Sequence, residues 1–209
     1  MFDEQVFELR INQLISDGQE AAAERELLKA LAEFKMQSDA EHLKLIHRNL
    51  AFFYAMPSTE DPVKAEQHFL EWERLSPAPY TLLQTATFYF YVLRDFSRTI
   101  TKVDEIKARF DGTRNGSYYS ALTLKGEALI ELNHVDDANQ VFGEMLAMLA
   151  MTKPGGQGRP CGDELNFLSA AASVPVLADR CREVLRIIIP RIASPEYVER
   201  ANSLLKRLQ

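Results

Sequence analysis

A chain of 209 residues is long enough for about one domain, or one short array of repeats, with a substantial buried core. Hydrophobic residues make up 46% of it and charged residues 26%, which is typical of a soluble globular protein. The net charge of −6 argues against general nucleic-acid binding, which normally depends on a basic surface.

The charge is unevenly distributed along the chain. Residues 1–75 carry 8 Lys/Arg and 15 Asp/Glu, whereas residues 175–209 carry 7 and 4. Solvated helix faces explain such a pattern. The functional alternative is an acidic end that attracts a basic partner.

Nothing in the sequence indicates secretion, membrane insertion or a structural metal. The start, MFDEQVFELRIN, lacks the basic and apolar regions of a signal peptide, and no segment approaches the roughly 18 apolar residues of a membrane span. Cys161 and Cys181 lack metal-ligand spacing, so we expect two reduced thiols and no metal. These features predict a cytoplasmic protein that requires no cofactor.

Apolar residues recur at intervals of three and four through most of the chain, which predicts an all-α fold. In chain order the predicted helices are Asp3–Ser16, Glu20–Met36, Ala40–Ala55, one from about Pro62 that ends at Ser76-Pro77, Tyr80–Leu93, Phe96–Phe110, Ser117–Leu132 and Val135–Met151. Residues 152–163, TKPGGQGRPCGD, form a predicted Gly/Pro-rich loop. Three more helices are predicted after it, at Glu164–Ser173, Pro175–Ile189 and Pro195–Leu208, with Ser194 as the N-cap of the last.

The first eight predicted helices form pairs that share a spaced motif. In the second helix of each pair, a small residue is followed four positions later by a bulky one: Ala23 and Leu27, Ala65 and Phe69, Thr99 and Val103, Ala138 and Phe142. A small side chain lets the paired helix approach, and the bulky one fills the space one turn further on.

This pattern resembles the tetratricopeptide repeat, W-x2-L-G-x2-Y followed by A-x3-F and P over about 34 residues. The last pair matches best, with Leu122, Gly126, Leu129, Ala138 and Phe142 in phase. The resemblance covers about residues 4–150 and implies an α-solenoid of antiparallel helix hairpins. We therefore divide the chain into four tetratricopeptide-like pairs (1–151), the loop (152–163) and C-terminal capping helices packed on the same domain (164–209).

In such arrays the first helix of each pair lines a concave groove that binds a protein or peptide. Carried onto this sequence, the groove residues are Asn12, Arg48, Phe52, Gln84, Phe88, Tyr91, Thr123 and Glu127. The best-known subclass holds an acidic C-terminal carboxylate in a clamp of basic residues and asparagines. Here Asn12, Arg48 and Asn49 are compatible with that clamp, but Glu8 stands where a base is expected, so the clamp is incomplete.

The centre of the predicted groove is aromatic, with Phe52, Phe88 and Tyr91, and aromatic residues often anchor binding partners. The alternative is that these rings belong to the core, which we expect for Phe53, Tyr54 and Phe90.

No constellation of catalytic residues stands out, so we expect a non-enzymatic protein. The four histidines form no H-x3-H pair or HExxH helix. Gly155-Gly156-Gln157 resembles the GGQ loop of peptide-chain release factors, but three common loop residues favour a linker. An enzyme using Cys161 as a reactive thiol remains a third hypothesis, and nothing supplies it with a positioned base.

The sequence thus predicts a scaffold for protein–protein interaction, either an adaptor or a chaperone-like protein. The alternative is a regulator that binds a small ligand or nucleic acid through the basic C-terminal helices, which carry Arg180, Arg182, Arg186 and Arg191. Apolar faces of these C-terminal helices could equally form a homodimer seam.

Overall fold

The computed structural model describes residues 2–110, 116–151 and 162–209, and these form helices without any strand. The helices are α1 (Glu4–Ser16), α2 (Glu20–Gln37), α3 (Ala40–Ala55), α4 (Pro62–Leu75), α5 (Pro79–Tyr91), α6 (Phe96–Phe110), α7 (Gly116–Glu131), α8 (Val135–Met151), α9 (Gly162–Ala172), α10 (Ala178–Ile188) and α11 (Pro195–Arg207). The all-α prediction is confirmed for these residues, and the bounds of the first eight helices agree within about two residues.

One prediction about the C-terminal helices needs correction. The helix predicted at Pro175–Ile189 consists of a 3₁₀ turn at Pro175–Leu177, then α10, then a second 3₁₀ turn at Ile189–Arg191. Pro190 lies in that second turn and has no N–H for an α-helical hydrogen bond, which explains the end of α10. Ser194 occupies the N-cap position of α11, but its side chain makes no capping hydrogen bond.

The Gly/Pro-rich segment is shorter than predicted at its C-terminal end. Gly162 and Asp163 belong to the first turn of α9. Residues 152–161, which include Cys161 and Gly155-Gly156-Gln157, lie outside the described residues.

The chain divides into two compact units, residues 1–88 and 89–209, with the boundary inside α5. In the first unit, consecutive helices pack together: α1 on α2, α2 on α3 and α3 on α4. In the second unit, α7 contacts α6, α8 and α9, while α10 packs on α8 and α9 and α11 packs on α9 and α10. The C-terminal helices therefore share a core with the last predicted pair.

The eight positions of the small-and-bulky motif are all in the core. Ala23, Leu27, Ala65, Phe69, Thr99, Val103, Ala138 and Phe142 are each at most 1% exposed. The prediction that these residues pack inside is confirmed. Fully burying one of the larger side chains contributes roughly 1.5–3 kcal/mol, so the motif accounts for part of the stability of each unit.

Gly126 has a different neighbour from the one that the repeat pattern predicts. The atoms nearest to the position of a Cβ at Gly126 all belong to Phe167 of α9, at 2.4, 2.5 and 3.0 Å. Phe167 is fully buried and stacks on Phe142 of α8, with 4.7 Å between the ring centroids. The glycine therefore makes room for α9, a helix outside the repeat pattern.

Candidate functional site

Three aromatic side chains from consecutive helices of the first unit meet at its surface. Phe52 lies in the last turn of α3, Trp72 in the last turn of α4 and Tyr80 in the first turn of α5. The ring centroids of Phe52 and Trp72 are 6.0 Å apart, those of Trp72 and Tyr80 are 6.2 Å apart, and both pairs meet edge-on. Trp72 is buried, whereas Phe52 and Tyr80 are 40% and 53% exposed. We call these three residues the aromatic patch.

Prolines and a capping aspartate in the turns between these helices fix where each helix starts or ends. Pro57 follows the end of α3, and the carboxylate of Asp61 caps α4 by accepting a hydrogen bond from the Lys64 backbone N–H at 3.1 Å. Pro62 and Pro79 occupy first-turn positions of α4 and α5, where a missing N–H has no cost. The short turns place the C-terminal ends of α3 and α4 and the start of α5 around one another.

A buried stack of rings supports the aromatic patch from below. Phe52 also meets Phe69 edge-on at 5.5 Å, and Phe69 stacks on Phe88 at 4.9 Å between centroids. Phe69 and Phe88 are both buried. Such ring pairs contribute about 0.5–1.5 kcal/mol beyond their area burial, so the exposed ring of Phe52 rests on an ordered base.

The residues compatible with a carboxylate clamp are engaged inside the first unit. Arg48 of α3 forms an ion pair with Glu8 of α1, and the Asn49 amide donates to the same Glu8 oxygen at 3.1 Å. Asn49 also donates to the backbone carbonyl of Leu45 at 2.9 Å. The carboxylate of Glu8 therefore engages both Arg48 and Asn49, whereas Asn12 lies exposed one turn further along α1.

Two histidines form a hydrogen-bonded pair between α3 and α4. The Nδ1 atoms of His47 and His68 are 2.9 Å apart, so one ring donates and the other accepts while both are neutral. Burial lowers the pKa of His47, and burial together with His47 lowers the pKa of His68 to about 4. The nearby Glu71 carboxylate opposes both shifts without overcoming them. The pair is neutral at pH 7 and disfavours protonation.

The Tyr54 hydroxyl extends this polar network to α2. It donates to Glu24 at 2.6 Å, and the Tyr54 ring stacks on His68 at 5.8 Å between centroids. Burial and the Glu24 carboxylate raise the pKa of Tyr54 far above its usual value. These contacts connect α2, α3 and α4.

In the second unit, Tyr91 is joined to α9. The Asn166 side chain acts to lower the pKa of the Tyr91 hydroxyl, and Arg200 of α11 donates to Asn166 Oδ1 at 2.7 Å. Burial and the Glu127 carboxylate raise the pKa of Tyr91 and outweigh the effect of Asn166. The ring nevertheless remains 44% exposed.

Glu127 is half-buried on α7 among other carboxylates. Burial raises its pKa to about 6, with further contributions from Glu131 and Asp163, while Arg94 acts in the opposite direction. The Arg94 guanidinium lies 3.8 Å from Glu131. Close to neutral pH, the ionised form of Glu127 is therefore disfavoured by its surroundings.

The structure places the eight predicted groove residues in three different environments. Asn12, Phe52 and Tyr91 are exposed, Arg48, Gln84 and Glu127 are half-buried, and Phe88 and Thr123 are buried. Phe88 stacks on Phe69, and the Thr123 hydroxyl donates to the Ser120 carbonyl at 2.7 Å. The side chains of Phe88 and Thr123 therefore lie in the core of this structure. Phe53, Tyr54 and Phe90 are buried, as the sequence predicts.

Sequence reasoning missed several members of these clusters. Trp72 is the only tryptophan of the chain and Tyr80 follows a proline turn, and both could have been singled out as aromatic residues at helix ends. Asp163 and Asn166 had no such signal, because their approach to Tyr91 and Glu127 depends on the packing of α9 in the second unit.

The basic C-terminal helices present fewer free charges than their sequence indicates. Arg182 forms an ion pair with Asp179, and Arg180 with Glu183 at 3.4 Å. Arg191 donates to the Leu149 carbonyl at 3.4 Å. These contacts do not favour nucleic-acid binding by α10.

The described residues offer little for metal or thiol chemistry. No group of three or more His, Cys, Asp or Glu side chains among residues 2–110, 116–151 and 162–209 is arranged to hold a metal ion. Cys181 is fully buried, and burial raises the pKa of its thiol to about 12. Within these same ranges, no helix has both the length and the apolar character required to cross a bilayer.

The chain matches no protein-family model, and no curated protein sequence matches it.

Proposed function

We propose that this chain is a non-catalytic scaffold in which tetratricopeptide-like helix pairs bind a peptide or protein segment, as an adaptor or a chaperone-like protein. The small-and-bulky motif supports the repeat assignment, since all eight of its residues are buried. Packing of successive helices within the first unit is consistent with it.

The aromatic patch is the observation that carries the proposal. Large aromatic rings are common at the energetic centres of protein interfaces, and exposing Phe52 and Tyr80 beside Trp72 has no evident benefit for the unbound chain. The buried stack of Phe69 and Phe88 holds the patch in place, which limits the entropy lost on binding. Exposed Asn12 and half-buried Gln84 remain proposed polar contacts.

Capture of partners from a native lysate, with identification by mass spectrometry, tests this function. The double variant Phe52→Ala/Tyr80→Ala removes both exposed rings and should lose the specific partners. Leu28→Ala is the matched control, because Leu28 is 42% exposed on α2, close to the exposure of Phe52. Equal capture by both variants, with circular dichroism showing intact folds, would refute binding through the patch. Phe88→Ala is unsuitable here because it would disturb the core.

A further inference from the structure

We propose that the aromatic patch accepts a basic amphipathic segment of a partner protein, with apolar residues against the rings and Lys or Arg at its edges. This inference rests on the proposed function and specifies the chemistry of the partner. It differs from the acidic peptide with a C-terminal carboxylate that the best-known subclass of the resembled family binds.

The apolar half of the segment follows from the shape of the patch. Phe52 and Tyr80 both contact the buried ring of Trp72, so two exposed aromatic side chains flank one apolar centre. Its three residues come from three helices, and a rigid base of buried rings supports it. A helix with apolar residues three and four positions apart would present a matching stripe.

The basic half of the segment follows from the charge of the first unit. Residues 76–88 contain no charged side chain, so the unit has the 8 Lys/Arg and 15 Asp/Glu of residues 1–75 and a net charge of −7. The remainder of the chain, residues 89–209, then has 16 Lys/Arg and 15 Asp/Glu, a net charge of +1. The negative potential is therefore concentrated in the unit that carries the patch, where it favours association with cations.

Most cations of this unit are engaged by its own carboxylates. At least five of the eight are in ion pairs with carboxylates of the same unit: Arg10, Lys44, Arg48, Lys64 and Arg74. Arg48 is the most informative of them because it lies one turn before Phe52 on α3. Glu8 neutralises Arg48 and also accepts from Asn49, so an acidic partner would have to displace an internal carboxylate.

Fluorescence anisotropy with three labelled peptides and the full chain tests the proposal. One is an amphipathic peptide of roughly 18 residues with Leu along one face and Lys elsewhere, the second has Glu at every Lys position, and the third is a short acidic peptide with a free C-terminal carboxylate. We expect the Lys peptide to bind at least about tenfold more tightly than either acidic peptide, and more weakly as salt increases.

Variants show whether binding occurs at the patch. Phe52→Ala/Tyr80→Ala should weaken binding of the Lys peptide at least about tenfold, whereas Leu28→Ala should leave it unchanged. Glu8→Gln removes the carboxylate that neutralises Arg48. The difference in affinity between the Lys peptide and the acidic peptides should therefore become smaller, because the guanidinium of Arg48 is released.

The possible results distinguish failure of the basic-partner proposal from failure of the scaffold proposal. Equal or tighter binding of an acidic peptide that is still lost in the patch variant would overturn the basic partner and leave the scaffold function intact. Absence of binding by the Lys peptide would also overturn the basic partner. Binding of the Lys peptide that survives loss of both rings would overturn the patch as the site, and unchanged lysate capture by the patch variant would then remove the scaffold function as well.

Discussion

The contact between Gly126 and Phe167 predicts that a single added methyl group destabilises the second unit. In Gly126→Ala the new Cβ would lie 2.4 Å from Phe167 Cζ, whereas carbon atoms in contact are normally about 3.5–4.0 Å apart. The ring would have to retreat by about 1 Å to reach that separation. Phe167 is fully buried and stacked on Phe142, so the core must take up the displacement.

Two effects of opposite sign determine the size of the change. Overpacking a well-packed core costs about 1–3 kcal/mol. Alanine is favoured over glycine inside a helix by about 1 kcal/mol, which offsets part of this cost. We therefore expect the free energy of unfolding to fall by up to about 2 kcal/mol, with a loss in Tm of roughly 2–4 °C for each kcal/mol.

Urea unfolding followed by circular dichroism measures the change, and α8 provides a matched control. Gly143 is exposed in the middle of α8, and a Cβ added there meets nothing within 4 Å. Gly143→Ala should therefore stabilise the chain by about 0.5–1 kcal/mol through helix propensity alone.

A double variant identifies Phe167 as the origin of the clash. In a Phe167→Leu background the cost of Gly126→Ala should shrink, because the smaller side chain leaves room for the methyl group. If Gly126→Ala and Gly143→Ala stabilised the protein equally, the close packing of α9 on Gly126 would be refuted.

Three further predictions concern titratable and reactive groups. The pKa of His68 is about 4 in the folded chain and 6.5 in an ordinary peptide, so the unfolded state binds more protons between these values and stability falls as the pH drops through this window. Because solvent partly screens the half-buried ring, the wild-type chain should lose about 1–2 kcal/mol of unfolding free energy between pH 7 and 4.5, and His68→Gln should abolish this loss. Equal losses in the wild-type chain and the variant, measured from unfolding curves at the two pH values, would contradict this. Glu127 has a raised pKa of about 6, so the folded state binds more protons between about pH 4.5 and 6, and stability falls as the pH rises through that range. Glu127→Gln should therefore raise the free energy of unfolding by about 0.5–1 kcal/mol at pH 7.5 and leave it unchanged below pH 4, as measured by thermal unfolding. In a Cys161→Ser variant, the buried Cys181 thiol should react with a thiol reagent only as fast as the second unit unfolds, and immediate labelling in native buffer would show that it is accessible.

Local signals in the sequence predicted the helices and much of the core. The proline that follows α3 and the Asp61-Pro62 start of α4 act within one turn of the chain, so their effects do not depend on tertiary packing. The small-and-bulky motif was equally informative, because a helical spacing of four places both residues on one face and an apolar face must be buried. The bounds of the first eight helices and the buried positions of the motif therefore follow from the order of residues alone.

Tertiary packing decided which of these faces meets which neighbour. Spacing alone assigned Phe52 and Phe88 to the same groove, but Phe69 covers Phe88 and leaves Phe52 exposed. Gly126 and Phe167 are 41 positions apart, and Glu8 and Arg48 are 40 apart. Periodicity gives the direction of a side chain relative to its own helix axis, whereas the partner in that direction depends on how separate helices pack. The sequence alone therefore determined the helices and their buried faces, and only the tertiary structure decided which aromatic rings and charges remain available to a partner.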